Sequence, residues 1–189
     1  MKYCLTVFAF LSLALPLWAN PLSGQVALAV GKGATTPART GVVYVVPDTP
    51  ENWLQLNGLA QRVGRWLTLS RQTAAGATSQ DYITVRDYNI AQNRLKGMLN
   101  RLVLTAQQKA QQTIPISETG QFTTAEAPSK VILVASAQAT EQPENSTQTT
   151  LAGWWFLRTE SGLDLELLPA KQLYQVGIPL SVQQPSSQP

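Results

Sequence analysis

The chain has 189 residues, of which 14 are basic and 11 acidic, so that charged residues make up 13% of it, about half the ~25% of a typical soluble domain. It contains no histidine, and its one cysteine is Cys4. A Ser-His-Asp triad, a Cys-His dyad, histidine-bound zinc or haem iron and a Cys-x-x-Cys redox pair are therefore excluded within this chain. We expect a non-enzymatic protein with no cofactor and no metal site.

The N-terminal residues have the pattern of a secretory signal peptide. Lys2 precedes an uncharged apolar run over 5–18, and the chain turns polar after Ala19. This run covers 14 residues, whereas a membrane-spanning helix needs ~20. We expect cleavage near Ala19; cleavage after Ala29 and retention as an anchor are the alternatives. The protein is thus predicted to be exported, to the periplasm if it is bacterial, with a mature chain that does not span the membrane.

The first predicted elements are two strands and a helix. Apolar and β-branched runs at 25–30 and 41–46 are bounded by glycine and proline, which is typical of strands. Thr49 is the expected N-cap of a helix that has Pro50 in its first turn and ends near residue 71. Its apolar face follows three- and four-residue steps: Trp53, Leu56, Leu59, Ala60, Val63, Trp66 and Leu67.

A short strand and a second helix follow. Residues 81–86 alternate as a strand does, and Asp87 is the expected N-cap of a helix that runs to about residue 112. The apolar face of this helix is formed by Ala91, Leu95, Met98, Leu99, Leu102 and Ala106. Gly97 costs about 1 kcal/mol relative to alanine in a helix interior, so it either permits a close helix contact or marks a weak turn.

The remainder of the chain is predicted to be strands and loops. Residues 113–129 resemble a linker, 130–135 form a buried strand, and 136–150 form an exposed loop without apolar residues larger than alanine. Further strands are expected at 151–159, 163–168 and 173–178, followed by a disordered tail at 181–189. The sequence predicts a single α+β domain over 20–180, with a mostly antiparallel sheet of five or six strands and two helices packed on one face.

The strands around Gly162 are predicted to form a hairpin. A three-residue loop with Gly162 in the left-handed conformation places Arg158 opposite Asp164 as a cross-strand ion pair. Alternation then gives a core face and an opposite face that is both aromatic and charged. The core face carries Trp155, Leu157, Leu163, Leu165 and Leu167, and the opposite face carries Trp154, Phe156, Arg158, Asp164 and Glu166.

Two surfaces are candidate binding sites. Trp154 and Phe156 beside Arg158 have the chemistry to bind a partner protein or a sugar ring, unless a helix covers them and leaves Arg158 at its edge. A basic helical surface comprises Arg62, Arg65, Arg94 and Arg101. It either meets an anionic partner or is neutralised by acidic residues of the strand layer.

These features favour an accessory or adaptor protein that assists the assembly or anchoring of a bacterial envelope structure such as a secretion, conjugation or pilus apparatus. Its expected partner is a protein of the cell envelope, with an anionic surface or a glycan as further possibilities. The absence of a basic run and of an aromatic-basic module disfavours nucleic acid. The alternatives are a glycan-binding module that uses Trp154 and Phe156, and a hydrolase that uses Asp164 and Glu166 as paired carboxylates.

Overall fold

The computed structural model describes residues 20–31, 34–76, 82–141 and 149–179; the predicted signal peptide and C-terminal tail lie outside this part of the chain. The described residues form nine strands, two long helices and a short 3₁₀ helix at Pro169–Lys171. The helices are α1 (Pro50–Gly76) and α2 (Tyr82–Lys109). The strands are β1 (Asn20–Gly31), β2 (Ala34–Pro37), β3 (Thr40–Pro47), β4 (Gln112–Pro115), β5 (Gln121–Ala127), β6 (Lys130–Glu141), β7 (Thr149–Glu160), β8 (Asp164–Leu167) and β9 (Gln172–Pro179).

The strands form two sheets. A five-stranded antiparallel sheet has the order β4-β3-β6-β7-β9, and a four-stranded sheet has the order β2-β1-β5 with β8 beside β1. One face of the five-stranded sheet packs on the four-stranded sheet, and its other face packs on the two helices. The predicted α+β domain, with two helices on one face of a mostly antiparallel sheet, is confirmed. The second sheet was not expected.

Strand β6 lies at the centre of both cores. Val131, Leu133 and Ala135 face the four-stranded sheet, whereas Ile132 and Val134 face the helices. All five are buried because β6 has neighbours on both faces, which explains why its sequence is a continuous apolar run rather than an alternating one. The predicted buried strand over 130–135 is therefore correct, although β6 extends further.

The two helices pack as an antiparallel pair across the five-stranded sheet. Thr49 is the N-cap of α1, as predicted: its hydroxyl oxygen accepts a hydrogen bond from the backbone N–H of Asn52 at 3.2 Å. Both predicted apolar faces are directed inward, with Leu56, Val63 and Leu102 fully buried. Within the described residues, neither helix is both long and apolar enough to cross a membrane.

Two details of the helices differ from the predictions, and a third excludes one of two predicted alternatives. Helix α1 continues to Gly76 rather than ending near residue 71, and α2 already begins at Tyr82. The predicted strand at 81–86 and the cap at Asp87 are therefore wrong: alternation over so few residues does not outweigh the packing of a long helix against α1. A β-carbon at Gly97 would meet no atom within 4 Å outside the local helix backbone, so this glycine serves no close helix contact.

The predicted hairpin around Gly162 is wrong in its pairing. Gly162 does adopt a positive φ of 87°, but its N–H donates to the carbonyl of Pro21 at 2.8 Å, and the chain then crosses to the other sheet. Strand β8 pairs in parallel with β1, while β7 pairs with β6 and β9. Because β8 belongs to the four-stranded sheet and β7 to the five-stranded sheet, Arg158 does not face Asp164. Leu163 is 54% exposed rather than part of the core.

The predicted linker and most of the predicted loop also form strands. Residues 113–129 contain most of β4 and all of β5, in which Ile114 and Phe122 are buried. Residues 136–141 continue β6, with Ala137 and Ala139 buried opposite Gly153 and Leu151 of β7. Alanine fills this end of the core, so the absence of larger apolar residues did not indicate exposure. Only 142–148 of the predicted loop lie outside the described residues.

Candidate functional site

The predicted aromatic face of β7 lies under the helices and is divided between two environments. Phe156 packs beneath α1, where its ring stacks on Trp53 with centroids 5.6 Å apart and ring planes 18° apart. The guanidinium of Arg158 lies 4.8 Å from the centroid of the Trp53 ring. Phe156 and Arg158 thus hold the start of α1 against the sheet.

Arg158 also forms an ion pair with Asp48, immediately before α1. Its Nε donates to Oδ2 of Asp48 at 2.7 Å, and the Asp48 side chain is 3% exposed. The other carboxylate oxygen, Oδ1, is buried and makes no hydrogen bond within the described residues. Arg158 therefore compensates the buried carboxylate of Asp48, which has few other polar partners. This role of Arg158 is structural.

Trp154 has a different environment, at the open end of the helix-covered face. Its ring stacks on that of Tyr174 in β9, with centroids 5.8 Å apart and planes inclined at 22°. Both rings line a cleft of about 260 Å³ between α2 and the strands β6, β7 and β9. Its other lining residues are Gln92, Leu95, Lys96, Leu99, Asn100, Gln138, Ala152 and Val176. A second depression, of about 250 Å³, shares Trp154 with this cleft.

The phenol of Tyr174 is perturbed by this environment. Burial raises its pKa from the ordinary value of 10.0, and the nearby Tyr88 adds to the increase, while Arg71 opposes it. Partial burial favours the neutral phenol over the charged phenolate, so the folded protein retains this proton at a pH at which the unfolded chain loses it.

We expect this perturbation to lower stability in alkali. Below the unfolded-state pKa of 10.0 the phenol is neutral in both states and costs nothing. As the pH rises through that value, the unfolded state loses the proton first, and the free energy of unfolding falls. Guanidinium unfolding on both sides of pH 10 measures this loss. The Tyr174→Phe variant should lose less stability over the same interval, and an identical loss in both proteins would contradict the assignment.

Helices α1 and α2 form a helical hairpin. The basic helical surface lies on the side of this helical hairpin that faces away from the five-stranded sheet. Arg62, Arg65, Arg94 and Arg101 are all exposed. Arg62 and Arg101 line a groove of about 350 Å³ between α1 and α2, together with Leu54, Gln55, Gly58, Leu59 and Thr105. Helical spacing places the arginines between exposed apolar residues on each helix.

The helices that carry this surface are strongly basic. The two helices contain eight basic residues and two acidic ones, Glu51 and Asp87. Glu51 pairs with Lys109 at 3.3 Å and Asp87 with Arg86 at 3.6 Å. In the part of the chain that the structure describes, none of the four predicted arginines forms an ion pair.

Exposed apolar side chains are the feature of this surface that the sequence analysis missed. Of the six large apolar residues that are exposed among the described residues, five are on the helices. They are Leu54, Leu69, Val85, Ile90 and Leu104, of which Leu54 is the most exposed at 77%. Leu54 and Leu104 fall outside both predicted apolar faces, so a helical projection of the sequence contained this signal. The outer surface of the hairpin is therefore both cationic and apolar.

A larger depression, of about 570 Å³, lies elsewhere, along β1, β4 and β5. Asp164 lines it and accepts a hydrogen bond from the hydroxyl of Ser23 at 3.1 Å. Glu166 is exposed on the same strand but does not line this depression, whose other lining residues are uncharged. The depression thus brings one carboxylate, and not a pair, to its wall.

Comparisons of the chain with protein families, with curated proteins and with solved structures give no match. The fold and these surfaces are therefore the basis for a functional proposal.

Proposed function

We propose that this protein is an exported, non-enzymatic adaptor of the bacterial cell envelope that binds an acidic partner protein on the outer face of its helical hairpin. The observation that carries the proposal is the combination, beside one groove, of exposed leucines and of arginines that form no ion pair among the described residues. The partner belongs to an envelope assembly such as a secretion, conjugation or pilus apparatus.

The charge distribution favours an external partner over internal neutralisation. Asp164 and Glu166 lie on β8 of the four-stranded sheet, which the five-stranded sheet separates from the helices. Arg62 and Arg101 border the groove on opposite helices, so an acidic segment in the groove would meet both. Arginine is favoured at protein interfaces because its planar guanidinium pairs with carboxylates in a bidentate geometry.

The exposed leucines favour a protein over a small anion. Leu54 is 77% exposed and Leu104 55% exposed. Both lose contact with water if an amphipathic helix lies along the hairpin, which is a common mode of recognition. Gly58 leaves open space at the groove wall, which permits a close approach.

For the proposed export, the burial of β1 favours cleavage near Ala19 over cleavage after Ala29. Leu22, Val26 and Leu28 are fully buried between the sheets. Cleavage after Ala29 would remove all three, at about 1.5–3 kcal/mol for each buried side chain. Cleavage after Ala19 leaves the whole of β1 in place. The absence of histidine and the position of Cys4 within the leader favour binding rather than catalysis.

The proposal is tested by capturing partners from native envelope fractions with the full mature protein. We expect the Arg62→Glu/Arg101→Glu variant to retain at least about tenfold less of its partner, because reversal of buried interface charges costs several kcal/mol. The matched control is Arg39→Glu/Lys171→Glu, which makes the same change in net charge at exposed positions outside α1 and α2. Circular dichroism checks that both variants fold.

Three results would contradict the proposal. They are equal retention of the partner by both variants, a captured protein without an acidic segment, and recovery of the wild-type protein alone from gently solubilised envelopes.

A further inference from the structure

The groove around Trp154 is distinct from the basic surface, and it has a different chemistry. Trp154, Gln138 and Ala152 line both of the depressions described above, so these two depressions adjoin one another at the indole ring. One depression continues over β3 to Thr40, and the other continues under α2 to Tyr174. The result is a groove across the five-stranded sheet with an aromatic side chain at its midpoint.

The aromatic wall of the groove is preorganised. The stacking of Trp154 on Tyr174 fixes both rings before a ligand arrives, so little side-chain entropy is lost on binding. Both rings remain partly exposed. An indole ring offers a flat apolar surface, which suits a ligand that has a flat apolar face of its own.

The polar groups of the groove are mostly neutral. Asn100 and Gln138 present side-chain amides that make no hydrogen bond within the described residues. Amides both donate and accept hydrogen bonds, as sugar hydroxyl groups also do. Lys96 is the single charged residue that lines the cleft. An acidic peptide or a nucleic acid would require more positive charge than this.

We propose that this groove binds an oligosaccharide, with one sugar ring packed by its C–H face on Trp154 and with Asn100 and Gln138 hydrogen-bonded to hydroxyl groups. The two adjoining depressions accommodate the sugar units on either side of that ring. Neutral amides, a fixed aromatic platform and an elongated groove match the polar rim and apolar faces of a saccharide. The inference goes beyond the proposed adaptor function and does not depend on it.

The test is calorimetric titration of the full mature protein with chitotetraose, cellotetraose and a tetrameric uronic acid at millimolar concentrations. We expect saturable binding of at least one of these oligosaccharides. Binding of the uronic acid alone would indicate that Lys96 pairs with its carboxylate. The Trp154→Ala variant should bind about tenfold more weakly, since it loses the stacking surface. Gln138→Ala, at an exposed position, should weaken binding with no effect on folding.

Trp53→Phe is the matched control, because Trp53 stacks on Phe156 under α1 and does not line the groove. It should leave the affinity for saccharide unchanged. The Arg62→Glu/Arg101→Glu variant should also bind saccharide normally, which separates this inference from the adaptor proposal. The inference is overturned if none of the three oligosaccharides binds saturably, or if folded Trp154→Ala and Gln138→Ala bind as tightly as the wild-type protein.

Discussion

Replacing Trp155 with alanine is expected to lower the free energy of unfolding by about 3–5 kcal/mol. Trp155 is 1% exposed and lies in the core between the two sheets. Its Nε1–H donates to the carbonyl of Leu168 at 3.2 Å, so truncation removes a hydrogen bond as well as the apolar volume. Gly153 accommodates the ring, because a β-carbon there would lie 2.7 Å from Cη2 of Trp155. Because glycine has no side chain, Gly153 cannot fill the space that truncation of Trp155 leaves.

Chemical denaturation followed by circular dichroism measures this loss. The Trp155→Phe variant is the matched control: it keeps an aromatic ring in the cavity, and it should lose clearly less stability than the alanine variant. A loss below about 1 kcal/mol for Trp155→Ala would contradict the placement of this residue between two packed sheets.

Replacing Arg158 with methionine is expected to cost about 2 kcal/mol, because it leaves the buried carboxylate of Asp48 without its hydrogen-bond donor. In the wild-type protein the Arg158 side chain is 52% exposed, and its charge is solvated. The loss of stability on its replacement therefore comes mainly from the unpaired carboxylate of Asp48. Oδ1 of Asp48 already lacks a partner within the described residues. Methionine retains much of the apolar contact with Trp53, which isolates the effect of the charge.

A double-mutant cycle with Asp48→Asn checks this explanation. Once the carboxylate is replaced by a neutral amide, Arg158→Met should cost much less, because no buried charge is left unpaired. Equal costs of Arg158→Met in the presence and absence of the Asp48 charge would show that packing on Trp53, and not the ion pair, holds α1 in place.

Alternation and helical periodicity predicted which residues are buried much better than which strands pair. Trp155, Leu165 and Leu167 are in the core as the alternation indicated, and Trp154 and Phe156 face the opposite side. The partner of β8 was wrong, because a tight loop at Gly162 is compatible both with a hairpin and with a crossover to another sheet. Local sequence carries little information about that choice, because the edge of β1 with which β8 pairs lies 141 residues earlier in the chain.

The candidate site was also predicted only in part, because local sequence does not show which elements lie next to one another. The distribution of charge along the sequence predicted the basic helical surface. The fold explains why its arginines form no ion pair among the described residues with Asp164 and Glu166, because β8 lies in the four-stranded sheet, away from the helices. Trp154, Phe156 and Arg158 were correctly assigned to one face of β7. Trp154 lines the groove, whereas Phe156 and Arg158 hold α1 against the sheet. This difference depends on where each helix crosses the sheet, which the sequence of β7 does not show.

The most direct test of the central proposal is site-specific photo-crosslinking in the native envelope. A photoreactive residue at Gly58, in the groove between the helices, should crosslink to one acidic protein, and the product should disappear in the Arg62→Glu/Arg101→Glu background. The same photoreactive residue at Thr123, on the exposed surface of β5, should not yield that product. A product from Thr123 alone, or a product from Gly58 that survives the charge reversal, would contradict the proposal that the helical hairpin is the docking surface.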